Sequence, residues 1–188
     1  MVDNFIRNKQ IKQIKRLAKA SNYYELGDLK HYLSNNFDNL NWKDKLTLLI
    51  SIINGLNDIH SSKIIHRDFH SGNLLIKAMS AIICDLGLSK SATDLADNGN
   101  EIEIYGVIPY VAPEIFNGNR YTEASDVYSF GMIMWEFMTG RRPFWDRVHD
   151  TELIIEIYDG QRPPITSAPE GYIKLMQECW DSNPNKRP

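Results

Sequence analysis

Three oxygen-bearing side chains stand at a spacing that could act on a phosphoryl group. Asp68 and Asn73 lie in the run His66-Arg67-Asp68-Phe69-His70-Ser71-Gly72-Asn73, and Asp85 follows twelve residues later in Asp85-Leu86-Gly87. Moving a γ-phosphoryl group asks little covalent work of a protein; it asks for metal ions on the phosphates and a group that orients the attacking hydroxyl. Asp68 is a carboxylate that can accept a hydroxyl proton or hold the hydroxyl in line. The amide oxygen of Asn73 and the carboxylate of Asp85 are hard oxygen ligands of the kind that Mg²⁺ prefers.

Such a cluster needs elements to position it, and the hydrophobic pattern supplies them. Leu74-Leu75-Ile76 and Ala81-Ile82-Ile83-Cys84 are short apolar runs separated by the polar Lys77 to Ser80 stretch, so they read as a small hairpin returning Asp85 towards Asn73. Asp28 to Leu33 suits a short helix after Gly27. Leu46, Leu49, Ile50, Ile53, Leu56 and Ile59 fall at helical spacing, predicting a long, deeply packed helix from Trp42 to about His60 that leads into the loop. Ser125 is a candidate cap for a further helix running through Met132, Trp135 and Phe137 to a stop near Gly140. Helices are also predicted around Asp150 to Tyr158 and Pro169 to Trp180. The stretch from Asp94 to Asn100, with Asn98, Gly99 and Asn100, reads as a mobile loop. There is no internal repeat and no low-complexity segment.

The ordered motifs resemble those of eukaryotic protein kinases. His66, Arg67, Asp68 and Asn73 match the pattern His-Arg-Asp-x-x-x-x-Asn, Asp85-Leu86-Gly87 stands for Asp-Phe-Gly, and Ala112-Pro113-Glu114 is the Ala-Pro-Glu pattern. Ser125 to Gly131 is similar to the start of the family's central helix, and Cys179-Trp180 with Asn183 to Pro188 to its late motif. The resemblance covers roughly residues 22 to 188 and implies a mainly α fold: a kinase-like C-terminal lobe, a helical bundle with a small β-hairpin at the catalytic loop. It implies ATP and Mg²⁺ as cofactors, with Asp68, Asn73, Arg67 and His70 as catalytic residues. Tyr23, Asp28, Leu75 and Asp85 are the implied nucleotide contacts, Leu75 beneath the adenine, and Asn73 and Asp85 the implied metal ligands. His66, Leu86 and Gly87 take internal positions, Asp126 holds the catalytic loop from below, and Glu114 pairs with Arg187. Arg67 is expected to meet a phosphate on Ser89, Ser91, Thr93 or Tyr105, among which the sequence does not choose.

Each motif alone has a plainer reading. His66, Asp68 and His70, with His60 nearby, could be a zinc-ligand cluster. Asp-Leu-Gly is an ordinary turn, and Ala-Pro-Glu an ordinary helix start. Arg67 could be a surface ion pair, and Cys84 a small buried hydrophobe rather than a thiol open to electrophiles. The ordered set, rather than any one member, carries the resemblance.

Composition bounds the remaining possibilities. With 188 residues, 43% of them hydrophobic, the chain can bury a sizeable core as one domain. A net charge of −3 points to neither nucleic acid nor an anionic membrane. Two cysteines, Cys84 and Cys179, suggest free thiols in a reducing compartment, and no stretch is long and apolar enough for a membrane span. A cytoplasmic or nuclear protein is expected.

The chain also departs from the family. His70 stands where serine/threonine kinases normally carry lysine, and Gly106 is followed by Val107 rather than threonine, while Tyr110 before Ala112-Pro113-Glu114 favours serine/threonine over tyrosine specificity. Before His66 the only glycines are Gly27 and Gly55 and the only glutamate is Glu25, so the glycine-rich loop and the lysine–glutamate pair have no place here. Residues 1–21 instead carry Arg7, Lys9, Lys12, Lys15, Arg16 and Lys19 against Asp3, and read as a basic amphipathic helix covering lobe surface, or touching a membrane or partner. Residues 22–188 then form a partial kinase domain, hinge and C-lobe, with the N-terminal β-lobe absent and the last helix missing. The expected activity is transfer of the ATP γ-phosphoryl group to a protein serine or threonine hydroxyl, weak or lost in this chain alone. The alternative is a pseudokinase-like binding or scaffold module. The face that an N-lobe would cover is expected to leave Leu75 and Leu86 in water, offering a surface to a protein partner.

Overall fold

In the computed structural model, residues 27–92 and 104–188 are described. Tyr23, the hinge before Gly27, the basic segment 1–21, Thr93 and the loop from Asp94 to Asn100 lie outside them. The described residues are mainly helical. Helix α1 (Leu29–Asn36) starts behind Asp28, whose carboxylate accepts from the His31 N–H at 2.7 Å, so the residue expected to open the helix caps it instead. Helix α2 (Trp42–Ser61) is capped in the same way by Asn41. Strands β1 (Ile64–Ile65), β2 (Leu74–Lys77), β3 (Ser80–Ile83) and β4 (Lys90–Ser91) make two small antiparallel pairs, β1 with β4 and β2 with β3. After them come α3 (Pro113–Phe116), α4 (Glu123–Thr139), α5 (Thr151–Tyr158) and α6 (Glu170–Cys179).

Helix α4 is the hub. Every residue from Tyr128 to Met138 is buried, as expected of a helix that is apolar nearly all round and is wrapped by its neighbours. Two glycines let those neighbours come close. A Cβ on Gly131 would lie 3.0 Å from the Cys179 side chain and 3.2 Å from the Trp180 backbone, so α6 packs directly on the α4 backbone. Gly140 ends the helix in the left-handed region (φ 71) with the Phe37 ring where a Cβ would stand, 2.6 Å away.

Three expectations change. The cap of α4 is Thr122, whose side chain accepts from the Ser125 N–H, while Ser125 returns the bond to the Thr122 N–H three positions into a capping box. On α2 the core stripe is Leu48, Leu49, Ile52, Leu56 and Ile59; Leu46 and Ile50 are exposed and border an apolar groove with Phe130, Met134 and Leu175. Leu75 and Leu86 are buried rather than left in water. Leu75 is covered where the chain at Asp28 bridges to it and Gly27 accepts from the Ile76 N–H, and Leu86 belongs to the main core.

The β2–β3 hairpin docks on α2 through Ser51, whose hydroxyl accepts from the Ala81 N–H and donates to the Ala81 carbonyl. This polar interruption of an apolar run is therefore the anchor that fixes the hairpin, and with it the positions of Asn73 and Asp85.

Candidate active site

The loop between β1 and β2 carries Asp68, His70 and Asn73, and a carboxylate from a distant helix shapes its backbone. Asp126, buried in the first turn of α4, accepts from the His66 N–H at 2.8 Å and from the Arg67 N–H at 3.0 Å, and meets His60 Nε2 at 2.8 Å. Arg67 is thereby held at φ 72, a left-handed conformation that costs a side-chain-bearing residue about 1–2 kcal/mol. His66 is fully buried; its Nε2 donates to the Cys84 carbonyl at 3.1 Å and its Nδ1 accepts from the Asp68 N–H at 3.3 Å. Burial holds this imidazole below its ordinary pKa, so the ring is neutral and both nitrogens are committed. A zinc-ligand role for it is thus closed, and among the described residues no group of three or more His, Cys, Asp or Glu could hold a metal ion.

The amide of Asn73 donates to the Asp68 carbonyl at 2.9 Å and to Asp68 Oδ2 at 3.2 Å. These bonds fix which end of the amide is nitrogen and turn its oxygen the other way. His70 Nδ1 accepts from the Gly72 N–H at 3.0 Å, and its Nε2 lies 3.2 Å from the Asn73 amide nitrogen and 3.4 Å from Asp68 Oδ1. That Oδ1 is buried and without a hydrogen-bond partner among the described residues. The His70 ring, first, holds the Asp68 carboxyl below the usual carboxylate range; burial opposes it, and Asn73 and His66 act with His70.

Above this carboxylate passes the backbone at Gly106. Its φ is +101, and a Cβ there would lie 3.3 Å from Asp68 Oδ1 and 3.5 Å from the Arg67 carbonyl, so any other residue would be strained and would crowd Asp68. The sequence singled out Gly106 only for the residue that follows it.

Asp85 reaches the site through the hairpin. The Cys84 N–H donates to the Asn73 carbonyl at 2.8 Å and its thiol to the same oxygen at 3.1 Å, tying the end of β3 to the end of the loop. The next residue, Asp85, turns at φ 54 with its carboxylate exposed, and Oδ1 accepts from the Gly87 N–H at 3.1 Å. Burial pushes the Cys84 thiol up to about 11, with the Asp85 and Asp28 carboxylates adding to the shift, so the sulfur stays protonated.

Arg67 makes no ion pair with a described residue. Its guanidinium sits over the rings of Tyr105 (5.1 Å) and Tyr121 (4.7 Å), and its buried Nε has no described hydrogen-bond partner. The Tyr121 hydroxyl donates to the Tyr105 carbonyl and accepts from the Tyr105 N–H, clamping that residue against Arg67. Arg67, Lys90 and Arg120 line a cavity of about 670 Å³ on this side. Of the proposed phosphate acceptors, Ser89 donates to the Leu86 carbonyl, Ser91 lies in β4 and also lines this cavity, and Thr93 is outside the described residues.

Glu114 and Arg187 meet across 73 positions in a two-pronged ion pair, Nη1 to Oε1 at 2.6 Å and Nη2 to Oε2 at 2.7 Å. Arg187 also donates to the carbonyls of Ala124 and Asp181, and its side chain is wholly buried.

One network was not foreseen. The Tyr110 hydroxyl donates to Glu136 Oε1 at 2.8 Å and approaches Ser71 at 3.4 Å, and its ring lies 5.8 Å from that of His70. Burial pushes the Glu136 carboxyl up to about 8, so at neutral pH it is mainly the uncharged acid. A lone glutamate inside the apolar run Phe130 to Met138 was the signal available in the sequence.

The comparisons with known proteins agree with this geometry. The model of the family described as protein tyrosine and serine/threonine kinase matches residues 10–188. Among similar proteins of Dictyostelium discoideum, a "Probable LIM domain-containing serine/threonine-protein kinase" is 34% identical over 192 residues, 98% of this chain and 28% of the relative. A "Probable serine/threonine-protein kinase" is 33% identical over 93% of this chain and 11% of its own length, and "Stress-activated protein kinase alpha" is 35% identical over 86% and 27%. The chain thus spans no more than 28% of the length of these relatives. A match to the family model over nearly the whole sequence, with the loop, hairpin and central helix in the order that its motifs require, means that the chain belongs to the protein tyrosine and serine/threonine kinase family.

Proposed function

We propose that the protein transfers the γ-phosphoryl group of ATP to a protein hydroxyl, serine or threonine, and that the described residues form the C-terminal lobe of the kinase. The observation that supports this most is the state of Asp68. Its carboxyl is kept below the ordinary range, Oδ2 is fixed by Asn73, Oδ1 is buried beneath the Gly106 backbone without a hydrogen-bond partner, and the side chain as a whole stays partly exposed. An ionised carboxylate so held can receive the substrate hydroxyl at its exposed edge, align it and take its proton as the new bond forms. His70 Nε2, 3.4 Å from Oδ1, stands where a lysine would otherwise meet the phosphate.

The donor set suits Mg²⁺. Asn73 turns its amide oxygen away from Asp68, Asp85 presents an exposed carboxylate, and the adjacent Cys84 is a protonated thiol occupied by the Asn73 carbonyl. When bound, Mg²⁺ neutralises charge on the phosphates. Asp28 and Leu75, joined by a bridge at the edge of β2, are the proposed nucleotide contacts, with Tyr23. Asp126 positions the loop, and Arg67 with Lys90 and Arg120 receives a phosphate on the segment after Asp85. The free thiols fit a cytoplasmic location, and no helix among the described residues is long and apolar enough to cross a membrane.

The test is transfer of radiolabelled γ-phosphate from Mg-ATP to protein acceptors, comparing the wild-type protein with Asp68→Asn and Asp85→Asn. Loss of transfer in both variants is expected, with label on serine or threonine by acid hydrolysis. Undiminished transfer by Asp68→Asn, or nucleotide binding without any transfer by the wild type, would reject catalysis and leave the scaffold reading.

A further inference from the structure

The start of α4 grips the reaction centre at two places. Asp126 accepts from the His66 N–H at 2.8 Å and the Arg67 N–H at 3.0 Å, and so holds the loop that carries Asp68. Five positions earlier, Tyr121 holds the chain that passes over that loop. Its hydroxyl accepts from the Tyr105 N–H at 2.9 Å and donates to the Tyr105 carbonyl at 2.6 Å. Gly106 is the next residue, and its backbone lies so near the loop that a Cβ would stand 3.3 Å from Asp68 Oδ1 and 3.5 Å from the Arg67 carbonyl. Arg67 packs against both rings, 4.7 Å from that of Tyr121 and 5.1 Å from that of Tyr105, and acts as a spacer between loop and cover.

The cover has little stiffness of its own. Gly106 sits at φ +101, a region that glycine enters freely, and its neighbours Ile104 and Val107 are exposed, so the position of this backbone is imposed from outside. The mount, by contrast, is rigid. Thr122, which follows Tyr121, caps α4 and exchanges hydrogen bonds with Ser125, and Ser125 and Asp126 are both buried. Burial pushes the Tyr121 phenol up to about 12, with Arg67 opposing the rise and Asp68 and Asp126 adding to it, so the hydroxyl stays a donor at any working pH. Because one hydroxyl serves both the N–H and the carbonyl of Tyr105, it fixes that peptide in rotation as well as in distance.

We propose that Tyr121 is a positioning residue for phosphoryl transfer: with Asp126 it makes the start of α4 a bracket that sets the gap between the catalytic loop and the segment at Gly106, and with it the space in which a substrate hydroxyl meets Asp68. The inference rests on the phosphoryl-transfer reading above and deepens it. Without the Tyr121 hydroxyl, Asp126 still holds the loop, but the cover swings about Gly106 and the hydroxyl is no longer aligned on Asp68. The nucleotide contacts proposed at Asp28 and Leu75 lie at β2, away from the bracket, so the loss falls on transfer rather than on ATP binding.

The experiment compares the whole protein with Tyr121→Phe, which keeps the ring against Arg67 and removes only the hydroxyl. Amide hydrogen exchange is read by NMR, and transfer from Mg-ATP is measured with dephosphorylated casein as the acceptor. In Tyr121→Phe the Tyr105 amide is expected to exchange about tenfold faster, with the His66 and Arg67 amides unchanged. The value of kcat is expected to fall about tenfold, while the KM for ATP and the unfolding midpoint stay as in the wild type. Tyr105→Phe, which leaves in place the backbone that Tyr121 grips, is expected to keep the slow exchange of that amide. Unchanged Tyr105 exchange in Tyr121→Phe, or faster exchange with an undiminished kcat, overturns the proposal. So does a fall in kcat accompanied by a lower unfolding midpoint and faster exchange along α4, which would make Tyr121 a residue of stability alone. The expected exchange pattern with no transfer by the wild type would leave the bracket standing and reject catalysis instead.

Discussion

Replacing Asp126 by asparagine tests how the reaction centre is held, because it removes one acceptor while keeping the shape of the side chain. In the folded protein, Oδ1 takes the Arg67 N–H and Oδ2 takes the His66 N–H and His60. An amide has one oxygen, so whichever way it turns, one of these two backbone N–H groups faces an NH₂ and goes unpaired. An orphaned buried donor costs about 1–3 kcal/mol. The strain stored in the left-handed Arg67 is about 1–2 kcal/mol, of the same size, so the loop gains nothing by staying in its native form once that bond is lost. Asp68 is the next residue, and a displacement of about 1 Å there costs on the order of 10²-fold in rate. Denaturant unfolding should therefore show a stability loss of about 2 kcal/mol, and phosphoryl transfer should fall about 10²-fold with nucleotide affinity nearly unchanged. Asp126→Leu, which orphans both N–H groups, should cost more than the asparagine variant. A variant within about 0.5 kcal/mol and twofold of wild type in both assays would refute the account of Asp126 as the brace of the loop.

Further outcomes follow from the buried charges and thiols. Arg187→Met leaves Glu114 without its partner and is expected to cost about 3–5 kcal/mol, whereas adding Glu114→Met should recover a large part of it, read by a double-mutant cycle of unfolding; additive losses would contradict a coupled pair. Glu136 has a folded-state value near 8, above the ordinary 4.5, so its burial leaves stability intact at acid pH and erodes it as pH rises from about 4.5 through about 8. Glu136→Gln, which keeps an acceptor for Tyr110, should flatten that decline and be the more stable protein at pH 9; equal slopes for the two proteins would show that Glu136 is not the cause. Cys84 near 11 and Cys179 near 12 should resist alkylation at pH 8, since only about one molecule in 10³ or fewer carries a thiolate, and should react on unfolding. Labelling of either at the rate of a free thiol in the folded protein would contradict the burial of both.

What the sequence by itself determined was local. The spacing of Asp68, Asn73 and Asp85, the two apolar runs of the hairpin, and the 3.6-residue periods of α2 and α4 all depend on neighbours within a few positions, and so they could be read in order. The tertiary structure decided everything that depends on which distant group arrives. Periodicity marked an apolar stripe on α2 without saying that Leu46 and Ile50 would fall outside the interface while Leu48 and Ile52 fell inside it. Capping chemistry was legible near Ser125, but Thr122 and Ser125 are both competent caps, and in the folded chain Thr122 takes the cap with Ser125 as its partner three positions on. Leu75 and Leu86 lost their water to contacts with other described residues. Glu136 looked like a flaw in a core helix until Tyr110, 26 positions away, supplied its donor and burial removed its charge. The left-handed turn at Arg67 could not be foreseen at all. It exists because a carboxylate 59 residues further on outweighs a local preference, and only the folded chain brings the two together.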